Sequence, residues 1–351
     1  MIVVLHHVGL SVPEGLRTDF VGSLTDLLAA AARFAVLLFF VLSGFVLALP
    51  YFEETNDAYS LYLLRRFFRL YPPFAFAILV AALLRGLVGA SSFPFLSHWL
   101  SEFWSGPLTV GVVASHLLMT DIHRSASSLD PPIWTLIVEM RIALVFPLLV
   151  LVVKRFGWLS IVAALIVALI CSKTKAALGE PSTMVAESVA GAFLLTGRYV
   201  FFFLLGIFAA CRLDQHRKVL VRISAKQQTG VFIGLVFLCG FLTFTSKAGD
   251  GYIDTLFGLL ATYLITLCAA FPRVAAKLSG RLCLWLGDIS YSLYLIHLPV
   301  LMAVFILLYG HASFGATVAL AFPLMLLAGH AMYYLIEWPS MKVGRKLARR
   351  W

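Results

Sequence analysis

Charge is what this chain has least of. Asp, Glu, Lys and Arg make up 13% of its 351 residues, roughly half the share usual in a soluble domain, and a water-soluble enzyme is thereby excluded. The five cysteines (Cys171, Cys211, Cys239, Cys268 and Cys283) have no CxxC spacing and lie in or beside apolar stretches. They give neither a disulfide framework nor a zinc site, and no metal is expected. A GxSxG elbow, an HExxH pair, a Walker A loop and a GxGxxG turn are all missing, so the common hydrolase and nucleotide signatures do not apply. Without an internal repeat or low-complexity tract, residues 1–351 read as a single membrane domain.

What the chain has instead is apolar length. Hydrophobic residues reach 61%, and a helical span uses about 20 of them. Nine long apolar stretches lie near 31–51, 69–88, 132–153, 157–171, 195–211, 229–246, 253–271, 284–308 and 314–336. A tenth, 1–10, has half the length of a span, lacks the basic n-region of a signal peptide, and looks like the back half of a helix. The expected fold class is all-α: a polytopic transmembrane helical bundle of about ten spans with the first helix truncated.

The net charge of +10 would suggest nucleic acid in a soluble chain; here it follows from the collection of Lys and Arg in cytoplasmic loops, and no nucleic-acid partner is expected. The segment 107–120 decides the topology. If it does not cross, 18 of the 27 basic residues fall on one side, in the loops holding Arg65, Arg66 and Arg69, Lys154 and Arg155, Arg212 to Lys226, Arg273 to Arg281, and the tail from Lys342. If it crosses, that bias is lost. The reading is therefore a multi-pass protein of the cytoplasmic (inner) membrane with both termini cytoplasmic, and with outer loops at 11–30, 89–131 and 172–194.

Ionisable groups at bilayer depth are costly and mark function by default. At about 1.5 Å rise per residue, His297 lies roughly 18 Å, Glu139 roughly 20 Å and Ser43 roughly 15 Å into their spans, all near the midplane. For His297 a second reading stands at even weight, a bundle histidine bonded to a neighbouring backbone. His6 and His7 read equally as interfacial residues. Glu139 needs a partner or a proton, and Arg141 projects to the other side of the helix. Arg66 and Arg69, as i, i+3 neighbours, could clamp phosphates or anchor the chain among lipid headgroups. Tyr71, Pro72 and Pro73 are expected to interrupt the helix beside them. His116 and Asp121 spell HxxxxD, but chance supplies about 0.23 such pairs in a chain of this composition, so the match carries little weight.

Five segments then carry a resemblance: FFVLSGFVLALPYF (39–52), YLLRRFFRLYPPF (62–74), LDPPIWTLIVEMRIALVFPLL (129–149), WLGDISYSLYLIHLPV (285–300) and YYLIEWPSMKVGRKL (333–347). In this order they resemble the signatures of the acyltransferase 3 family, membrane enzymes that O-acylate glycans and similar acceptors. The resemblance implies that His7 is the essential histidine of the first helix, that Arg66 and Arg69 are the RxxR pair, and that Ser43, Trp134, Glu139, Tyr291, His297 and Glu337 occupy family positions. The family's basic residue eleven positions before its histidine would precede Met1, and EMRIAL stands where many members read closer to EEQFYL.

The expectation is an O-acyltransferase, with acetyl the expected group, that takes acyl-CoA as donor substrate with no bound cofactor. The expected acceptor is a sugar hydroxyl on a surface glycan or lipid-linked saccharide, and membrane lipids are its other partners. His7 and Glu139 would be catalytic, Glu139 orienting His7; Arg66 and Arg69 would bind acyl-CoA; Ser43, Trp134, Tyr291 and His297 would line the pocket. Two alternatives stay open: a transporter or flippase of a lipid-linked glycan, and an inactive relative truncated at its N-terminus.

Overall fold

The computed structural model describes residues 1–52, 58–89, 97–120, 128–180, 182, 184–245, 251–271, 276, 279–308 and 311–348. These form the helices α1 (Ile2–Leu10), α2 (Asp19–Phe52), α3 (Tyr59–Val88), α4 (His98–Glu102), α5 (Val110–Leu117), α6 (Trp134–Phe156), α7 (Trp158–Ala177), α8 (Val189–Cys211), α9 (Leu213–Arg222), α10 (Ala225–Thr245), α11 (Gly251–Ala270), α12 (Arg281–Leu308), α13 (Phe314–Met332), a π turn (Tyr333–Glu337) and α14 (Trp338–Ala348). Among the described residues eight helices are long and apolar enough to cross a membrane. The protein is a membrane-embedded helical bundle, and each of the nine apolar runs falls mainly on one helix, the last running from α13 into the π turn.

The segment 107–120 holds only α5, eight residues long, too short to span. Short polar residues start several helices: Ser97, Thr109, Ser188 and Ser313 each accept a hydrogen bond from a backbone N–H of the first turn, satisfying donors that have no intrahelical partner. Between α6 and α7 the turn is a single residue, Gly157, whose φ of +56° suits glycine.

Two features correct the sequence expectation. The stretch 11–30 is not all loop, because α2 begins at Asp19. At 34 residues and about 1.5 Å each, α2 outruns a bilayer core of about 30 Å. Its first turns carry apolar side chains at the helical spacing of Phe20, Leu24 and Leu27, all exposed, rather than an unbroken run. Secondly, α3 continues through Pro72 and Pro73. Pro72 cannot donate to the carbonyl of Phe68, four residues back; Ser340 Oγ from α14 donates to that carbonyl instead at 2.7 Å. A neighbouring helix thus repairs the break at Pro72, as it can for prolines within a membrane, and Tyr291 Oη of α12 adds a bond to the Leu70 carbonyl at 2.7 Å.

At the centre, α2 crosses α8 at backbone contact. A Cβ on Gly44 would sit 2.3 Å from the Phe203 oxygen, and one on Gly206 would sit 2.0 Å from the Val41 oxygen; only glycine permits this approach. A buried ion triad holds α2, α8 and α11: Arg33 Nε donates to Asp254 at 2.5 Å and Arg198 Nη2 to the other oxygen at 2.6 Å. One apolar core joins α2, α6, α8 and α11; a second joins α1, α4, α12 and α13; a third joins α3, α5, α6 and α12. Outward faces, such as Val162, Ile166 and Ile170 of α7, are exposed and apolar, the pattern of a surface that meets lipid. Arg65, Arg69, Lys154 and Arg155, with α9 and α14, gather at one end of the bundle, where Lys154 Nζ reaches the Tyr51 carbonyl at 2.6 Å. This is the basic end.

Candidate functional site

A cavity of about 570 Å³ runs between α1, α2, α3, α6 and α12. Its α2 wall extends from Ala35 to Leu47, a helix length of about 18 Å, and is apolar apart from Ser43. Polar groups come from the other helices: Arg66 and Arg69 of α3, Thr135 and Glu139 of α6, and Tyr291 and Tyr294 of α12. A smaller hollow of about 190 Å³ adjoins it at the basic end, lined by Tyr62, Arg65, Arg66 and Arg69. The two share Arg66 and Arg69, so the arginines stand where the slot opens.

Glu139 is 1% exposed, and a carboxylate at such burial requires a partner. It has two: Arg66 Nη2 and, at 3.1 Å, Ser43 Oγ both donate to Oε1. Oε2 of Glu139, Nε of Arg66 and the Tyr62 hydroxyl are buried without a bond, leaving unused hydrogen-bonding capacity at the waist of the slot. The RxxR pair therefore divides. Arg66 is buried and paired, whereas Arg69 is exposed and has the Met341 sulfur at 3.3 Å as its hydrogen-bond partner.

The histidines lie farther from the basic end. His7 Nδ1 and His297 Nε2 are 2.8 Å apart, bringing α1 and α12 together across 290 residues of sequence. The rings are parallel within 5° with centroids 5.1 Å apart, the separation of two imidazoles lying edge to edge along the N···N line. Trp99 of α4 stacks on His7 at 5.3 Å and is itself braced by Phe103. Tyr294, at the inner end of the slot, is 6.0 Å from the His297 ring. Its hydroxyl bonds Thr135 Oγ1 and the Pro132 carbonyl, both at 2.9 Å.

The expected midplane group is thus two groups. Glu139 lies one turn beyond Thr135 on α6, and His297 lies three residues beyond Tyr294 on α12 in the opposite direction; the separation is about 10 Å along the bundle. Glu139 contacts Arg66 and Ser43 rather than His7, and the side chain within hydrogen-bond distance of His7 is His297. Ser43 and Tyr291 line the slot, and Trp134 does not: it packs with Phe40 and Tyr199 at 6.2 and 5.1 Å. Glu337 accepts from Ser292 Oγ at 2.6 Å and braces α12 against the π turn. Arg141 ties α6 to the carbonyls of Ala192, Met119 and Thr120.

Of the HxxxxD pair, Asp121 lies outside the described residues. His116 is 2% exposed and uses both ring nitrogens, Nδ1 on the Val112 carbonyl and Nε2 on the Leu129 N–H; burial lowers the pKa of this imidazole, and its role is to brace the backbone. Nearby Asp130 is fully buried with both oxygens unbonded, and burial raises its pKa well above the usual carboxylate range. Sequence reasoning missed Trp99. Its only signal was a tryptophan in a segment that does not cross.

Residues 1–336 match a family model described as an acyltransferase domain, Acyl_transf_3. No curated protein and no solved structure matches the chain.

Proposed function

The chain belongs to the acyltransferase 3 family and is a membrane acyltransferase; from that premise we propose that it carries an acyl group, acetyl being the expected one, from acyl-CoA to a sugar hydroxyl of a surface glycan or lipid-linked saccharide. The observation that carries this reading is the slot, which has arginines at one end and ends at Tyr294 beside the histidine pair. A donor with an anionic head, a long flexible arm and a reactive thioester needs those features in that order.

Arg69, exposed at the mouth beside Arg65, offers a planar fork of donors to a phosphate. The narrow apolar slot suits the arm, and the unbonded Glu139 Oε2 can accept an amide N–H along it. At the far end His7 acts as general base on the acceptor hydroxyl, the task for which a neutral imidazole suits pH 7. The charge bias supports a basic end in the cytoplasm, where acyl-CoA is supplied.

The test is mass spectrometry of surface glycans and lipid-linked saccharides from cells expressing the protein or its His7→Ala variant at equal membrane levels. An added acyl mass seen with the first and absent with the second is expected. Identical masses in both, and in cells without the protein, would remove the reading.

A further inference from the structure

The contacts of His297 determine more than its position. Its Nδ1 lies 3.0 Å from the Leu293 carbonyl and 2.7 Å from the Tyr294 carbonyl. Carbonyl oxygens only accept, so Nδ1 bears the hydrogen. A neutral imidazole has one N–H, and Nε2 of His297 therefore presents a lone pair. The 2.8 Å contact with His7 Nδ1 needs one hydrogen between the two nitrogens, and His7 must supply it. His7 Nε2 is then left unprotonated, and among the described residues no group bonds it. A bundle histidine needs one partner; His297, fully buried, has three, and all its capacity is used.

We propose that His297 is the positioning residue of the reaction: it fixes His7 in the form whose Nε2 lone pair meets the acceptor hydroxyl, and it shares the proton taken up there. The inference rests on the acyltransferase reading above. As the acceptor oxygen bonds to the thioester carbonyl carbon, its proton moves to His7 Nε2. The Nδ1 proton can shift to His297 Nε2, where the resulting imidazolium keeps Nδ1–H on two carbonyls in charge-assisted bonds. The C–S bond then breaks, the leaving thiolate takes the proton from His7 Nε2, and Nδ1 recovers its own. In hydrolytic triads a carboxylate orients the histidine. Here a neutral ring does so without the cost of a buried anion at bilayer depth. Trp99, over the face of His7, keeps the ring in the plane that the hydrogen bond requires.

The experiment combines nitrogen NMR of histidine-labelled protein in membranes with steady-state kinetics on the same variants. The expected spectrum has His7, identified by its loss in His7→Gln, protonated at Nδ1 and bare at Nε2. In His297→Phe this preference is lost and kcat falls about 100-fold, within the range of a misplaced general base, while the donor KM stays within about twofold. His297→Gln, whose amide oxygen can still accept from Nδ1–H, regains at least tenfold of the loss. A wild-type His7 protonated at Nε2, or a His297→Phe protein of unchanged kcat, would overturn the proposal. A wild-type protein that transfers no acyl group overturns the functional reading instead, and the nitrogen pattern read in that same sample still decides this one.

Discussion

Arg66 and Glu139, to which the family resemblance gives different tasks, form one buried ion pair with Ser43 on the shared carboxylate oxygen. The pair makes the wall of the slot a fixed structure and leaves Arg69 as the member of the RxxR motif that faces outward. Motif membership does not make two arginines equivalent; their partners separate them.

Arg66→Ala leaves Glu139 buried without its cation. Breaking such a pair costs about 3–5 kcal/mol, so thermal unfolding in detergent is expected well below that of the wild type, whereas Arg69→Ala melts with it. Removing both charges in Arg66→Ala/Glu139→Ala recovers part of the loss. Additive losses would show that the two side chains do not interact.

On the proposed reading, Arg69→Ala weakens donor binding. A lost charge-assisted bond to phosphate is worth about 1.5–3 kcal/mol, so the donor KM should rise at least tenfold with kcat little changed. An unchanged KM, with Arg65 intact, would remove Arg69 from the donor site.

How much of this was legible in the sequence can be followed residue by residue. Every apolar run became a helix because membrane depth leaves the backbone no other way to bond. Helix ends were less legible: α2 starts at Asp19 because its first turns are apolar on one stripe only, and α3 survives Pro72 because of Ser340, a residue 268 positions later that no local reading can supply. Depth arithmetic placed His297, Glu139 and Ser43 near the midplane and left His7 unplaced, yet His7 meets His297. It set Glu139 level with His297, from which the packing separates it by about 10 Å, because rise is counted from span ends that an apolar run does not fix. Trp99 was hidden, since stacking from a short non-crossing helix leaves no periodic trace.

Trp99→Ala removes the ring that covers His7. Stacking of this kind is worth about 0.5–1.5 kcal/mol, giving a roughly three- to tenfold lower kcat, and Trp99→Phe should retain most of the activity. Single-turnover rates at saturating donor check this; equal rates for the Ala variant would mean that the stack does not hold the imidazole.

Gly206→Ala puts a methyl 2.0 Å from the Val41 carbonyl. Backbone cannot move aside as a side chain would, so α2 and α8 must part. A sharply lower yield of folded protein in detergent is expected, while Gly234→Ala, with open space around it, serves as the neutral control.

Asp130 makes stability depend on pH in a stated direction. Its folded pKa is raised by burial, so between the unfolded value and the folded one the native state holds the extra proton, and stability falls as pH rises. Relative to Asp130→Asn, the wild type should lose stability steadily above about pH 4. Parallel melting curves at every pH would contradict this.

Ser340 closes the backbone gap left by Pro72, and Met341 lies against Arg69. A ribosome delivers α3 long before it delivers residue 340. Until then the helix carrying both arginines has an unsatisfied carbonyl one residue from the outward arginine. The mouth of the slot is therefore among the final parts of the molecule to mature, and a nascent chain cannot complete it while it is still being threaded into the bilayer.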